Sequence, residues 1–198
     1  PTGTVVSPER LQQFIDAVPK HVVIALDEAY IEFLANKLDL IPAIAGDKYP
    51  NLILMRTFSK IYGLAGLRIG YGIAHPEFVA GLEKIRQPFN INAISQAGAF
   101  AALDDTKHVE RTQRLNQRGL RFFARACKQL KLEFVPSAAN FILIRVGDGA
   151  RVFAAMQQLG VITRPMGGYQ LGEWIRISIG TPKENQRCLN ALRQALGQ

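Results

Sequence analysis

Short apolar runs ended by polar residues organise the first half of the chain. Val22-Val-Ile-Ala-Leu26 runs into Asp27-Glu-Ala-Tyr30, and Leu52-Ile-Leu-Met55 runs into Thr57-Phe-Ser-Lys60. Brief apolar stretches closed in this way are typical of buried parallel strands. The pattern predicts strands over 22–26, 52–55 and 69–73. Ser7 and Pro8 start a helix that reaches about Ala17, since Ser caps a helix and Pro suits its first turn. A short helical segment falls near 38–46. His75-Pro-Glu77 opens a helix to roughly Arg86, which Gln87-Pro88 breaks. Helices over 93–103 and 106–130 follow. Beyond Leu130 the pattern becomes strands 132–135 and 141–146, helix 150–159, strands 161–164 and 174–179, and a closing helix 182–196. This βαββα-like order predicts an α/β protein. Its parts are a larger domain over 1–104 with a mostly parallel sheet and helices, a connecting helix over 105–130, and a small α/β domain over 131–198. No internal repeat or low-complexity stretch is present.

Composition narrows the class. The 48% hydrophobic content suits a buried sheet, and no apolar run approaches the roughly 20 residues that span a bilayer. Cys127 and Cys188 read as reduced thiols of a cytoplasmic protein. A net charge of +8 raises the question of nucleic acid. Its densest basic stretch is Arg111, Arg114, Arg118, Arg121 and Arg125, at helical spacing of three and four, which makes one solvated stripe. No nucleic-acid or membrane partner is expected. His21, His75 and His108 lack acidic or thiol companions at ligand spacing, so no metal is expected.

Candidate chemistry gathers where strands end. In open α/β sheets, ligands lie beyond the carboxyl ends of the strands. Lys60 sits there, between hydroxyl residues and Arg68, as a candidate amine nucleophile. Thr57, Ser59 and Arg68 can together hold one dianionic phosphate; without that role Thr57 and Ser59 are ordinary turn residues. An amine able to condense with an aldehyde, beside a phosphate cradle, is what pyridoxal 5′-phosphate requires. Asp27 ends the neighbouring strand, where a buried carboxylate keeps a pyridine nitrogen protonated. Tyr30 can set its phenol against the cofactor's ring oxygen, or serve only in packing.

These pieces join into a resemblance. Pro1-Thr-Gly-Thr4, Asp27-Glu-Ala-Tyr-Ile-Glu-Phe33, Thr57-Phe-Ser-Lys60, Gly66-Leu-Arg-Ile-Gly-Tyr71, Asn140-Phe141 and Arg176-Ile-Ser-Ile-Gly-Thr181 span nearly the whole chain. Together they resemble the fold-type I aminotransferases that depend on pyridoxal phosphate, and within them the histidinol-phosphate branch. Ile61 departs from the family, which usually has a small residue after the lysine. The sequence starts at the Pro of the family's Asn-Pro-Thr-Gly motif. The resemblance therefore makes it a C-terminal portion of a longer enzyme, inactive by itself and with apolar sheet surface left exposed.

The resemblance also implies roles. Arg176 matches the arginine that binds the substrate carboxylate, and a guanidinium fork suits that task. Arg164, in Val-Ile-Thr-Arg-Pro, matches less tightly an arginine that helps hold the substrate phosphate. Asn140 either touches substrate or caps a strand. The implied reaction is transamination between an amino-acid or amino-phosphate donor and a 2-oxo acid such as 2-oxoglutarate, in histidine biosynthesis. The implied assembly is a homodimer. Other readings stay open: an aromatic aminotransferase or a phospho-amino-acid decarboxylase on the same frame, or a non-catalytic remnant or regulator domain.

Overall fold

A computed structural model describes residues 1–198. The chain forms two compact units, Val6–Glu110, and Arg111–Gln198 together with Pro1–Val5. The first five residues join the C-terminal unit because Ala138 N–H donates to the Gly3 carbonyl at 2.8 Å.

In the Val6–Glu110 unit the order is α1 (Pro8–Ala17), β1 (Ile24–Asp27), α2 (Ile41–Ala45), β2 (Leu52–Thr57), β3 (Gly70–Ala74), α3 (Pro76–Glu83) and α4 (Ala93–Asp104). Helix α1 begins as its sequence dictates, with the Ser7 side chain accepting from Arg10 N–H and Pro8 in the first turn. The three strands form one sheet in the order β1-β2-β3. β1 and β2 are parallel, with Ile24 opposite Leu52 and Asp27 opposite Met55. β3 returns antiparallel to β2, so the sheet is mixed. Ile15, Ile24, Leu40, Ile44, Leu52 and Leu54 build the core on one face. A smaller cluster of Phe58, Ile69 and Ala99 sits under the turn that follows β2.

Two boundaries differ from the pattern. β2 extends two residues past Met55, because Arg56 and Thr57 still pair with Tyr71 and Gly70 of β3. The polar residues there belong to the strand before they belong to the turn. Helix α3 stops at Glu83, three residues short, and no residue in it is buried. Without a packed face, little beyond propensity extends a helix. Apolar side chains are exposed from α3 through α4, among them Leu82, Ile85, Phe89, Ile94 and Phe100.

α5 (Thr106–Gln129) leads into the second unit, followed by β4 (Phe134–Val135), β5 (Phe141–Arg145), α6 (Gly149–Gln158), β6 (Arg164–Pro165), β7 (Trp174–Ser178) and α7 (Pro182–Ala195). The four strands pair antiparallel in the order β4-β5-β7-β6. Ile142, Ile144, Ile175 and Ile177 join Phe123, Val152, Met156 and Leu192 in one core. Arg111, Arg114, Arg118, Arg121 and Arg125 all lie on the exposed face of α5, as their spacing requires. The strand expected over 161–164 is displaced to Arg164–Pro165. Val161 N–H instead closes the end of α6 on the Met156 carbonyl, and the ladder with β7 starts only at Arg164. Gly149 cannot be larger: a Cβ there would lie 2.5 Å from the Trp174 carbonyl oxygen and 2.7 Å from that of Gly172. Asn185, buried between β7 and α7, donates to the Gly180 carbonyl and accepts from its N–H, both at 2.9 Å.

Cys127 and Cys188 are free and buried in the second core. Burial disfavours the thiolate and pushes both thiols up to about 11. At pH 8 only about one thiol in a thousand is then ionised, by the definition of the pKa. The native protein is expected to be inert to a thiol-disulfide reagent at pH 8, and to release two equivalents only after denaturation. Rapid native reaction of either cysteine contradicts this burial.

Candidate active site

The parallel pairing of β1 with β2 sets two strand ends side by side. Asp27 is the last residue of β1 and Thr57 the last of β2. Past Asp27 the chain turns at once, with Ala29 N–H donating to Asp27 Oδ1 at 2.9 Å. Asp27, the last residue of β1, is exposed rather than buried as expected; within this chain β1 is the outer strand of the three.

Past Thr57 the chain makes a tight loop closed by the backbone. Phe58 N–H donates to the Ile69 carbonyl and Leu64 N–H to the Phe58 carbonyl. Thr57 Oγ1 accepts from Ser59 N–H at 3.0 Å, which fixes the first corner. Phe58 and Ile61 are buried and anchor the loop, so the Ile61 departure is a packing residue. Lys60 between them stays half-buried, with Nζ 5.2 Å from the centre of the Tyr30 ring. Tyr30 thus provides a cation–π face for the ammonium.

Arg68 closes the loop in the left-handed region, at φ +52° and ψ +47°. Arginine rarely adopts this conformation, and such residues concentrate at functional sites. Its Nη1 donates to the Ala65 carbonyl at 2.8 Å and to Ser59 Oγ at 3.3 Å. The turn therefore brings Ser59 and Arg68 together as a hydroxyl and a guanidinium. The loop returns through β3, where Gly70 is forced: a Cβ would meet the Arg56 carbonyl oxygen at 2.7 Å. Tyr62 and Tyr71 pack their rings on Phe58, as core rather than site.

Sequence reasoning missed Glu28 and Arg56. Glu28 is buried, and Arg56 Nε donates to its Oε2 at 2.7 Å. Burial works against the Arg56 charge, but the hydrogen bond and charge of Glu28 outweigh it and raise its pKa. Nearby, burial raises the Glu32 carboxyl above its usual range. The signal was two opposite charges, Glu28 just past β1 and Arg56 near the end of β2, readable only once the strand register is known.

The remaining candidates lie in the other unit. Arg164 and Arg176 are directly opposite each other in the β6–β7 ladder. Arg176 stacks on Phe141, with Cζ 4.6 Å from the ring centre, and Arg164 stacks on Tyr169 at 5.5 Å. Neither has a carboxylate partner. Asn140 uses its carbonyl to accept from Ile179 N–H, next to β7. Two guanidinium groups facing across a ladder repel, and an anion between them relieves the repulsion.

With this geometry in hand, residues 1–192 match the family Aminotransferase class I and II, and the chain belongs to that family. Its relatives include histidinol-phosphate aminotransferases. Histidinol-phosphate aminotransferase 2 of Ralstonia nicotianae is 50% identical over 202 residues, covering 100% of this chain and 54% of its own. Histidinol-phosphate aminotransferase of Akkermansia muciniphila is 48% identical over 196 residues, covering 99% and 53%. The crystal structure of histidinol-phosphate aminotransferase from Sinorhizobium meliloti, in complex with pyridoxal-5′-phosphate, has 32% identity and a TM-score of 0.88, covering 100% of this chain and 55% of that one. The chain spans about half the length of the curated relatives it matches.

The opposed arginines yield a test. Inorganic phosphate is expected to raise the thermal midpoint of the wild type. Arg164→Gln should gain about 0.2–1 kcal/mol in phosphate-free buffer, by removing a like-charge pair, and show a smaller phosphate increment. If Arg164→Gln loses stability and keeps the full increment, the pair is not an anion site.

Proposed function

We propose that this chain carries the lysine and cofactor-binding half of a pyridoxal-phosphate-dependent aminotransferase acting on histidinol phosphate, with 2-oxoglutarate as amino acceptor. One observation carries the reading. A single turn holds a half-buried lysine and a hydroxyl–guanidinium cradle, beside a strand end that offers a carboxylate. The donor set fits the cofactor: an amine for its aldehyde, Thr57, Ser59 and Arg68 for its phosphate, Asp27 for its ring nitrogen and Tyr30 for its ring oxygen. The histidinol-phosphate aminotransferases among its relatives support the branch.

When bound, pyridoxal phosphate supplies the electron sink on which loss of the substrate proton depends. Lys60 Nζ is the amine that would hold the cofactor through its aldehyde. The same amine, when free, would move the proton at the substrate carbon, acting as base and then acid. Asp27 keeps a proton on the ring nitrogen by its opposite charge. Thr57, Ser59 and Arg68 orient the phosphate and so fix the ring. Arg176 binds the carboxylate of the acceptor, and Arg164 contributes to holding the phosphate of the donor. Asn140 contacts substrate. Two substrates with different anions thus use one pair of cations in turn. In this reading the intact enzyme is a cytoplasmic homodimer of histidine biosynthesis.

Turnover by the intact enzyme tests the reading. Histidinol phosphate is expected to be the preferred donor over phenylalanine, with no decarboxylation of threonine phosphate. Lys60→Ala should lower kcat by at least about 10²–10⁴, the usual contribution of a positioned acid–base group. Retained turnover in that variant removes Lys60 from the chemistry. Asp27→Asn should still bind cofactor but lower kcat on the order of a thousandfold. A near-normal rate would make Asp27 structural.

A further inference from the structure

We infer that Glu28 and Arg56 are positioning residues, a buried ion pair that holds the strand end bearing Asp27 in fixed register against the turn bearing Lys60. This rests on the cofactor reading above and deepens it. Side chains alternate along a strand. Glu28 therefore points away from Asp27, and Arg56 away from Thr57. The pair lies at the sheet end, on the side opposite Asp27 and Thr57.

The need for it follows from the topology. β1 has four residues, and its ladder with β2 ends at Asp27 opposite Met55. One more backbone bond, Glu28 N–H to the Met55 carbonyl at 2.9 Å, carries the pairing past the strand. Beyond Glu28 the chain turns and the ladder with β2 ends. The next contact is the ion pair itself, at 2.7 Å, with Glu28 side-chain exposure of 4% and Arg56 of 18%. Arg56 is itself a residue of β2, paired in register with Tyr71 of β3. Glu28 is thus tied to the central strand rather than to a mobile surface. A burial this deep favours two charges only when both are paired, so the geometry is all-or-none: either the register holds or both charges are stranded. Asp27 on one side and Thr57 on the other inherit the register. A shift of about 1 Å in such a group can cost on the order of a hundredfold in rate.

The test separates positioning from mere stability, in the intact cofactor-bound enzyme. Glu28→Gln keeps the shape and removes the charge. It is expected to weaken cofactor binding about tenfold, the loss typical of a disturbed supporting group, and to shift the pH at which the bound cofactor's absorbance changes. In the cofactor-free protein, amide exchange should accelerate at Glu28 and Ala29 and stay slow at Ile24, whose N–H donates to the Asn51 carbonyl. The double variant Glu28→Leu/Arg56→Met replaces the pair with apolar groups and is expected to recover the thermal midpoint. Its cofactor affinity, absorbance transition and kcat should remain displaced. If these recover together with the midpoint, or if Glu28→Gln leaves absorbance and local exchange unchanged, the pair is structural only and the inference is wrong. A wild-type enzyme that binds no pyridoxal phosphate would instead overturn the cofactor reading, and the inference with it.

Discussion

The parallel contact between β1 and β2 is the constraint on which the candidate site depends. Parallel strands run the same way, so both end at the same edge of the sheet. Whatever polar groups follow them are brought together there. Asp27 and the Lys60 turn lie far apart in sequence and become neighbours only through this pairing. The apolar runs that form the strands are therefore also what assembles the chemistry. Leu52 and Leu54, both fully buried, hold β2 to the core and so fix where its turn begins.

The turn after β2 shows how backbone closure and charge cooperate. Its loop is held by two backbone hydrogen bonds of Phe58, whose N–H donates to the Ile69 carbonyl and whose carbonyl accepts from Leu64 N–H, and by that buried ring. Burying the apolar residues on either side leaves Ser59 and Lys60 facing outward. The left-handed backbone at Arg68 then folds its guanidinium back across the loop to Ser59. Such a conformation is costly for arginine, and the hydrogen bond to the Ala65 carbonyl offsets part of that cost. The second unit uses a different device. There two arginines are set opposite each other by an antiparallel ladder, each lying on an aromatic ring. The first device suits a phosphate held permanently, and the second suits anions that come and go.

Much of this was legible in the residues. Short apolar runs closed by polar groups marked β1 and β2, and Ser7-Pro8 marked the start of α1. Lys60, Thr57, Ser59 and Arg68 fall within twelve residues of sequence, so their convergence on one loop needed no long-range information. The Glu28–Arg56 pair was not legible, since it depends on a register between strands 28 residues apart. The displaced β6 shows a limit of pattern reading. Val161 to Thr163 look like a strand, but the α6 terminus captures Val161 N–H before the ladder can form. Helix α3 was read too long because periodicity ends less sharply than packing does.

The central claim is that Lys60, among all the lysines of this chain, is the amine that takes the cofactor's aldehyde. Its most direct test is reductive trapping. The intact enzyme is incubated with pyridoxal phosphate, reduced with borohydride, digested and mapped by mass spectrometry. A single stoichiometric phosphopyridoxyl label on Lys60, absent when Lys60 is replaced by alanine, is the expected result. A label distributed over surface lysines, or concentrated on any other lysine, would contradict it.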